Sequence, residues 1–467
     1  MRIGFIVDHP KRDLPGGVML AAALARRGVE TALIPMYEQA VDVPLLGLDA
    51  LIINFARLSN LELVRVYVRA KIPIWVLDTE GGVLADDGAN SPEKMAQFVR
   101  DSGFCSLLSG YFFWGDNLHR AFVKNSGMRE DQLHVTGCPR FDFAAPCWRD
   151  ILGFTRRGYI LINANFPLVN PRFVRSAEVE LNALTANGWS ADYIQRLIAD
   201  SRYILGRYLQ TVHNLAKKLP NRLFLIRPHP FEDQQLYVNS FRELKNVVVD
   251  GAGGVLNVIR HADCVLHLNC GTSIEAILLG KVPLSLEFLS TDLMSQHSSL
   301  PTKVSMSIQS ELSLFSAIEN LTTVQSNFPF DLRHAELIYP WFHKNDGKSS
   351  DRIADIVVSY LIKSVPQPGE ISIRNSFKSC WDRPRIIQKT QAFISNIIGS
   401  RAAANIRAFI QPKRRDKLID AVVTSKDFVA VGRHIAGLDG FEIRQARNPI
   451  TGLSLATLIA DNRLNKK

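Results

Sequence analysis

Short apolar runs that stop at small polar turns alternate with helical stretches along most of this chain, and the alternation occurs twice. RIGFIVD at the start is a strand, and Gly16-Gly17 opens a helix, VMLAAALARRG, with Gly28 as its C′ residue. Strands are expected at 31–35, 50–54, 74–77, 110–114 and 133–136, with helical segments between them, and GYILINANFPLVN adds a further strand and loop. From residue 221 the pattern restarts: strands at 223–226 and 264–268, a strand and turn in NVVVDGAGG, and a helix, a Gly280 stop and a strand in SIEAILLGKVPLSLEF. A closing helix at 349–361 is capped by Ser349 or Ser350. Strands separated by helices cannot pair as hairpins, so they predict parallel sheets and the α/β class.

Composition narrows the class. At 467 residues the chain has room for about three units of ~150 residues. A hydrophobic content of 46% and a charged content of 21% are those of an ordinary soluble protein. No apolar run approaches the ~20 residues that span a bilayer. MRIGFIVDHP reads as a first strand and not as a signal peptide, which predicts a cytoplasmic protein. The six cysteines lack CxxC spacing and an accompanying histidine pattern, so free thiols are expected and zinc is not. Charge is uneven: residues 370–467 hold 18 Lys and Arg against 8 Asp and Glu, a net of +10, and the whole chain has 55 against 45. The tail therefore carries all of the excess and reads as a separate, basic, mostly helical extension whose partner is an anionic membrane surface, not nucleic acid. In it Ile386, Ile387, Thr390, Phe393, Ile394, Ile397 and Ile398 fall on one helical face, and Lys413, Arg414, Arg415 and Lys417 cluster. The expected organisation is a first lobe at 1–175, a helical bridge at 176–220, a second lobe at 221–365, a PQPGE linker and the extension at 370–467.

The stretch 221–283 carries the clearest chemistry. One strand runs into Arg227-Pro228-His229-Pro230; another opens through Asn269, Cys270 and Gly271 into a helix that begins at Thr272 or Ser273. A strand that becomes a helix through a small polar turn offers backbone N–H groups to an anion. An imidazole between two prolines, with an arginine two residues before it, supplies rigid phosphate donors. Together they predict a pocket for a phosphorylated ligand at the carboxyl ends of parallel strands. Thr272 and Ser273 serve equally as N-caps, and Glu275 in the first turn either binds ribose hydroxyls or complements the helix dipole. A second constellation, Asp78-Thr79-Glu80-Gly81-Gly82, follows the strand WVL; its carboxylates suit acid–base work or nucleophilic attack, or an Asx-type turn. Gly16-Gly17 marks a turn or a close substrate approach. Asn163 and Asn165 orient ligand or shape a loop, and Arg140 and Asp142 pair with each other. Asp86-Asp87 lacks further ligands for a metal.

Six runs in order, YFFWGD, HVTGCPRFD, ILINANFPLVNP, RPHP, NCGTSIEAILLGKVP and NDGKSSDRIAD, resemble the successive signatures of the bacterial surface carbohydrate (surface polysaccharide) biosynthesis family, which is similar to capsule-type Kdo transferases and bacterial sialyl- and polysialyltransferases. The resemblance covers about residues 1–363. It implies a GT-B-like fold, two Rossmann-like lobes facing a cleft, and a metal-independent transferase that needs no cofactor and takes a CMP-activated sugar, Kdo or another nonulosonic acid, as donor. His229 and Pro230 match the HP motif that contacts the CMP moiety in such enzymes. Related transferases carry a D/E-D/E-G triplet with the catalytic base; here Thr79 stands at its first acidic position if Glu80-Gly81 is the register, and Asp78 lies one residue earlier, so either carboxylate fits. The implied acceptor is a glycan or lipid-linked, at the cytoplasmic face of the inner membrane. Two other readings share these features: a CDP-glycerol-type glycerophosphotransferase, and a non-catalytic transferase-like scaffold.

Overall fold

The computed structural model describes the chain apart from residues 83–90, 154–155, 173–180, 183–184, 186–189, 298, 365–368, 370, 382–385, 411–440 and 463–467. Asp86-Asp87, most of the PQPGE linker and the Lys413–Lys417 cluster therefore lie outside the described residues. The chain divides into two compact units, one of Met1–Gly82, Met95–Phe143 and Phe342–Lys467, the other of Val83–Lys94 and Ala144–Trp341.

The first unit is built on β1 (Arg2–Val7), β2 (Glu30–Pro35), β3 (Ala50–Ile53), β4 (Ile74–Leu77), β5 (Gly110–Phe113) and β6 (Leu133–Val135). These run parallel in the order β2-β1-β3-β4-β5-β6. Val7, Leu33, Ile52, Val76 and Phe113 are among the many strand residues fully or almost fully buried, as expected of a sheet covered on both faces. The expected strands are present within a residue at each end. The first helix is different: it spans Pro10–Ala25 and so starts six residues before Gly16. His9 is extended, and Pro10 fits the first helical turn because its missing N–H would have no partner there. Gly16 has another duty. A Cβ there would lie 2.8 Å from the backbone nitrogen of Arg140, so a bare backbone lets the helix approach the 139–142 turn. The helix ends as expected, with Gly28 at φ 73° and the Val29 N–H reaching back to the Leu24 carbonyl at 3.1 Å.

The second unit holds β7 (Tyr159–Asn163), β8 (Leu223–Arg227), β9 (Val247–Val249), β10 (Ala262–His267), β11 (Pro283–Ser285) and β12 (Met306–Ser307), all parallel in the order β12-β11-β10-β7-β8-β9. β7 was expected in the first lobe; it is a central strand of the second sheet, paired residue for residue with β8 from Tyr159↔Leu223 to Asn163↔Arg227. The long helix expected as a bridge is Ala191–Lys218, and it packs within this unit: Tyr208 donates to the Asn163 carbonyl at 3.3 Å. Ser190 caps it by accepting from the Tyr193 N–H.

The chain after Trp341 belongs to the first unit, and the expected boundaries move accordingly. The helix Ser349–Ser364 is held at its start by Asp142, whose carboxylate accepts from the backbone N–H groups of Ser349 and Ser350, each at 3.0 Å, and from the Ser350 hydroxyl at 3.1 Å. Asp142 thus takes the capping role expected of the serines, where a pairing with Arg140 was expected. A carboxylate at a helix start satisfies two N–H groups at once and complements the dipole. Farther along the helix, Asp351 pairs with Arg26 and Arg27, and Asp355 with Arg27. The basic tail is not a separate helical unit. Its helices Ile373–Trp381, Ile386–Ile398 and Ser400–Ile410 are followed by β13 (Phe441–Arg447) and β14 (Ser454–Asn462), an antiparallel hairpin whose second strand pairs antiparallel with β2 through Leu458↔Leu33. The hairpin covers what would be an open sheet edge. Asp42, fully buried, joins these pieces by accepting from the hydroxyls of Ser400 (2.6 Å) and Thr457 (2.7 Å) and from the Thr457 N–H (3.0 Å). Burial pushes its carboxyl up to about 6 despite those donors.

The α/β class and the two Rossmann-like parallel sheets are as the sequence predicts.

Candidate functional site

In the second unit the chain passes from β7 to β8 on one side and returns to pair β10 with β7 on the other, so the crevice beyond the carboxyl ends of β7 and β10 is a topological switch point. Five polar residues meet there: Asn163, Asn165, Asn269, Thr272 and Ser273. Asn163 closes β7 and donates from Nδ2 to Thr272 Oγ1 at 2.7 Å; Asn165 donates to the Asn269 carbonyl at 3.2 Å. Asn269 adopts φ 47°, a left-handed conformation that asparagine tolerates better than most residues. Its Nδ2 is committed to the Met294 carbonyl at 2.7 Å, which can only accept, so the outward atom of this amide is Oδ1. Asn163 Oδ1, Asn269 Oδ1 and Ser273 Oγ are all buried and have no hydrogen-bond partner among the described residues. Buried polar atoms are nearly always partnered, so three orphans on adjoining residues make this place a candidate ligand site.

The helix that begins here, Thr272–Leu278, is only two turns long. Its first N–H groups are largely occupied: Ser273 donates to the Cys270 carbonyl and Ile274 to that of Gly271, both at 3.1 Å. The Thr272 hydroxyl donates to Cys270 Sγ at 3.1 Å. The site is therefore made mostly of side chains, with less of the expected contribution from free backbone donors and the dipole. Glu275 is buried one turn in.

The Arg227-Pro228-His229-Pro230 loop follows β8. Pro228 is buried, His229 half-buried and Pro230 exposed. His229 Nδ1 accepts from the Phe231 N–H at 3.3 Å, which assigns the ring proton to Nε2 and makes that atom a donor. Arg227 is turned to another task, donating to the Ala252 and Gly253 carbonyls at 2.7 Å each and so tying down the loop after β9. Glu232, which sequence reasoning missed, links this loop to the one after β7. It is buried and accepts from the Phe166 N–H and the Tyr237 hydroxyl. Burial pushes its carboxyl up to about 7. Backbone bonds Arg172 N–H to Phe231 O (2.8 Å) and Asp233 N–H to Asn170 O (3.0 Å) zip the same two loops together. The signal available in sequence was only an acid three residues beyond His229, indistinguishable from an ordinary turn residue.

The first unit has its own switch point, beyond β1 and β3, because β2 lies on one side of β1 and β3 on the other. Asp78, Glu80 and Arg57 gather beside it. Asp78 is buried and accepts from the Glu80 N–H at 2.9 Å, from Tyr111 Oη at 3.4 Å and from Arg57 at 3.5 Å. The first of these is the Asx-type turn. Burial raises the Asp78 carboxyl from its ordinary value against the pull of Arg57. The Glu80 side chain is 53% exposed and faces Arg57 at 3.6 Å. Burial works against the Arg57 charge, yet Asp78 and Glu80 together carry its pKa above the ordinary value. Arg57 was also missed; it stands four residues beyond β3 with no motif around it. Next to this group a small cleft of about 20 Å³, partly open to solvent, is lined by Asp13, Asn54, Asp78, Thr79, Trp114 and Arg140 among others. Asn54 Oδ1 and Trp114 Nε1 are buried there without hydrogen-bond partners among the described residues. The Arg140 guanidinium lies 5.1 Å from the Trp114 ring centroid. Gly82 is required by the wall behind: a Cβ would sit 2.6 Å from the Trp114 ring and 2.9 Å from Phe342.

Among the described residues no three His, Cys, Asp or Glu side chains gather to hold a metal ion, and no helix is long and apolar enough to cross a membrane. All six cysteines are free thiols. No family model matches the chain, and no curated protein does. Among solved structures it is similar to the UDP-GlcNAc 2-epimerase of Methanocaldococcus jannaschii in complex with UDP-GlcNAc and UDP (13% identity, TM-score 0.48, covering 77% of this chain and 100% of that chain). It is also similar to S. aureus MnaA with UDP (12%, 0.49, 79% and 100%) and to the wall teichoic acid polymerase TagF (13%, 0.42, 68% and 74%). Likenesses at this level assign no substrate to this chain.

Proposed function

We propose that this protein is a glycosyltransferase that takes a CMP-activated sugar, Kdo or another nonulosonic acid, and transfers the sugar to a glycan or lipid-linked acceptor of a bacterial surface polysaccharide. The observation that carries the reading is the mixed set of polar groups at the β7/β10 switch point. Two orphaned amide oxygens, Asn163 Oδ1 and Asn269 Oδ1, can only accept hydrogen bonds, while Ser273 Oγ can donate. Phosphate alone would leave the two acceptors unmatched. A nucleoside monophosphate offers hydroxyl and amine donors to the asparagines and phosphate oxygens to Ser273, and His229 Nε2–H gives the second loop a donor of the same kind. The ordered motif resemblance adds the cytidine identity. In the reaction the bond between the anomeric carbon and the phosphate oxygen breaks, and donors on the departing phosphate stabilise its growing charge. In the first unit Glu80, accessible and facing Arg57, is the carboxylate that removes the acceptor proton; Asp78, pinned by its three donors, holds the Glu80 backbone in place.

The test is turnover of the purified chain with CMP-Kdo, CMP-sialic acid, CDP-glycerol and a UDP-sugar, followed by release of the nucleotide. Release of CMP from a CMP-sugar supports the reading. Turnover of CDP-glycerol alone makes the protein a glycerophosphotransferase, turnover of the UDP-sugar alone rejects the cytidine assignment, and binding without turnover of any donor leaves a scaffold.

A further inference from the structure

The tail helices are inside out for a water-soluble unit. In Ile386–Ile398 the faces are reversed: Ala392 and Ser395 are buried, whereas Ile386 is 81% exposed, Ile397 54%, and Phe393 and Ile394 are exposed between them. The neighbouring helices repeat the arrangement. Ile373–Trp381 buries Ser376, Ser379 and Cys380 and leaves Trp381 64% exposed, and Ser400–Ile410 buries Ser400, Ala403 and Ala404 and exposes Ile406. The polar inward contacts are specific. Ser379 donates to the Ala40 carbonyl at 2.8 Å, Ser376 to that of Val41 at 3.3 Å, and Ser400 to Asp42 at 2.6 Å. Hydroxyls thus hold these helices to the first unit, and the apolar residues are left for something else. The Phe377 and Phe393 rings meet edge-on at 5.7 Å, which joins the first two helices into one apolar surface.

Charge identifies the occupant. Residues 371–410 contain seven Lys and Arg and a single acidic residue, Asp382. Arg374, Lys378 and Arg401 are exposed and Lys389 is half-buried, and none of the described residues of the three helices is acidic. Exposed isoleucine, phenylalanine and tryptophan bordered by cations, on helices too short and too polar to span a bilayer, match the interface of an anionic leaflet, where apolar side chains enter the acyl boundary and cations face the headgroups. We infer that this three-helix face docks the protein onto an anionic lipid surface, with the helices lying in the plane of the interface. Neither the donor nor the carboxylate enters this inference, so it stands apart from the transferase reading.

The experiment is cosedimentation of the full chain with phosphatidylglycerol–phosphatidylcholine vesicles and with pure phosphatidylcholine vesicles. Ile394→Glu combined with Ile397→Glu alters two exposed side chains, and an unchanged melting curve verifies the fold. The expected result is binding to the anionic vesicles only, weakened about tenfold or more by the double substitution. Lys389→Glu with Arg401→Glu should weaken it several-fold, with the loss greatest at low salt. Failure of the full chain to bind, or equal binding by the Ile394/Ile397 variant, overturns the inference. So does a self-association in lipid-free buffer that the same variant abolishes, since the face would then join copies of this chain.

Discussion

Both units place polar side chains beyond the carboxyl ends of the strands at a switch point, yet the two sets differ in kind. In the first unit the group is ionic: Asp8 with Arg12, Arg12 with Asp13, and Arg57 with Asp78 and Glu80. In the second unit it is neutral, made of Asn163, Asn165, Asn269, Thr272 and Ser273, and it holds three buried atoms without partners among the described residues. The comparison separates two tasks. A charge must be paired or solvated to survive burial, so the ionic cluster is largely self-sufficient and tunes proton affinity. Neutral amides and hydroxyls can wait for a ligand at smaller cost, which suits recognition. Under the proposed reading the first region acts on the acceptor and the second holds the donor.

Substitutions can break this division. The largest effect is expected at Glu80→Gln, which should lower turnover by roughly 10³-fold with donor affinity unchanged. If Asp78→Asn is the dead variant and Glu80→Gln stays active, the buried carboxylate and not the exposed one does the chemistry. His229→Ala should reduce kcat/KM by about 10²-fold in a folded protein, through loss of a donor to the departing phosphate. Near-native turnover in that variant removes the imidazole from the site. Gly82→Ala is expected to destabilise the first unit by about 2 kcal/mol, because the added methyl overlaps the Trp114 and Phe342 rings; denaturant unfolding measures it. The smallest effect is one of pH. The Glu232 carboxyl keeps its proton up to about 7 in the folded chain, against an ordinary value of 4.5. A raised carboxyl favours the folded state most below pH 4.5, and that contribution is lost as pH rises through 7. Glu232→Gln should flatten this part of the stability profile, and an unchanged slope would place the titration elsewhere.

How much of this could be read in advance depends on how far apart the interacting residues are. Gly28, the edges of β4 and the strand–helix turn at Asn269–Thr272 follow from neighbours within one turn of chain, and local signals were enough. The helix at Pro10 was hidden by the two glycines; the reason for Gly16 lies in the backbone of Arg140, and Gly17 faces the Phe5 ring, 3.1 Å from where a Cβ would sit. Asp142 caps a helix 207 residues away, β7 joins a sheet whose next strand begins at Leu223, and β14 adds to β2 across the length of the chain. No periodicity reports such pairings. The isoleucine face of the tail was legible as a stripe; that it points outward was not, because the serines opposite it anchor to Ala40, Val41 and Asp42. Thr79 in the acidic triplet left the carboxylate open, and the difference in burial between Asp78 and Glu80 is what distinguishes them.

The central claim, that the second unit holds the CMP part of the donor and the first unit supplies the carboxylate, is tested most directly by calorimetric titration of CMP into the full chain and into its Ser273→Ala, His229→Ala and Glu80→Gln variants. The account predicts that the parent chain and Glu80→Gln bind CMP alike, while Ser273→Ala and His229→Ala each bind about tenfold more weakly or worse, as expected when a charge-assisted hydrogen bond is lost. Absence of CMP binding in the parent chain, or binding that survives in both second-unit variants and disappears in Glu80→Gln, would contradict it.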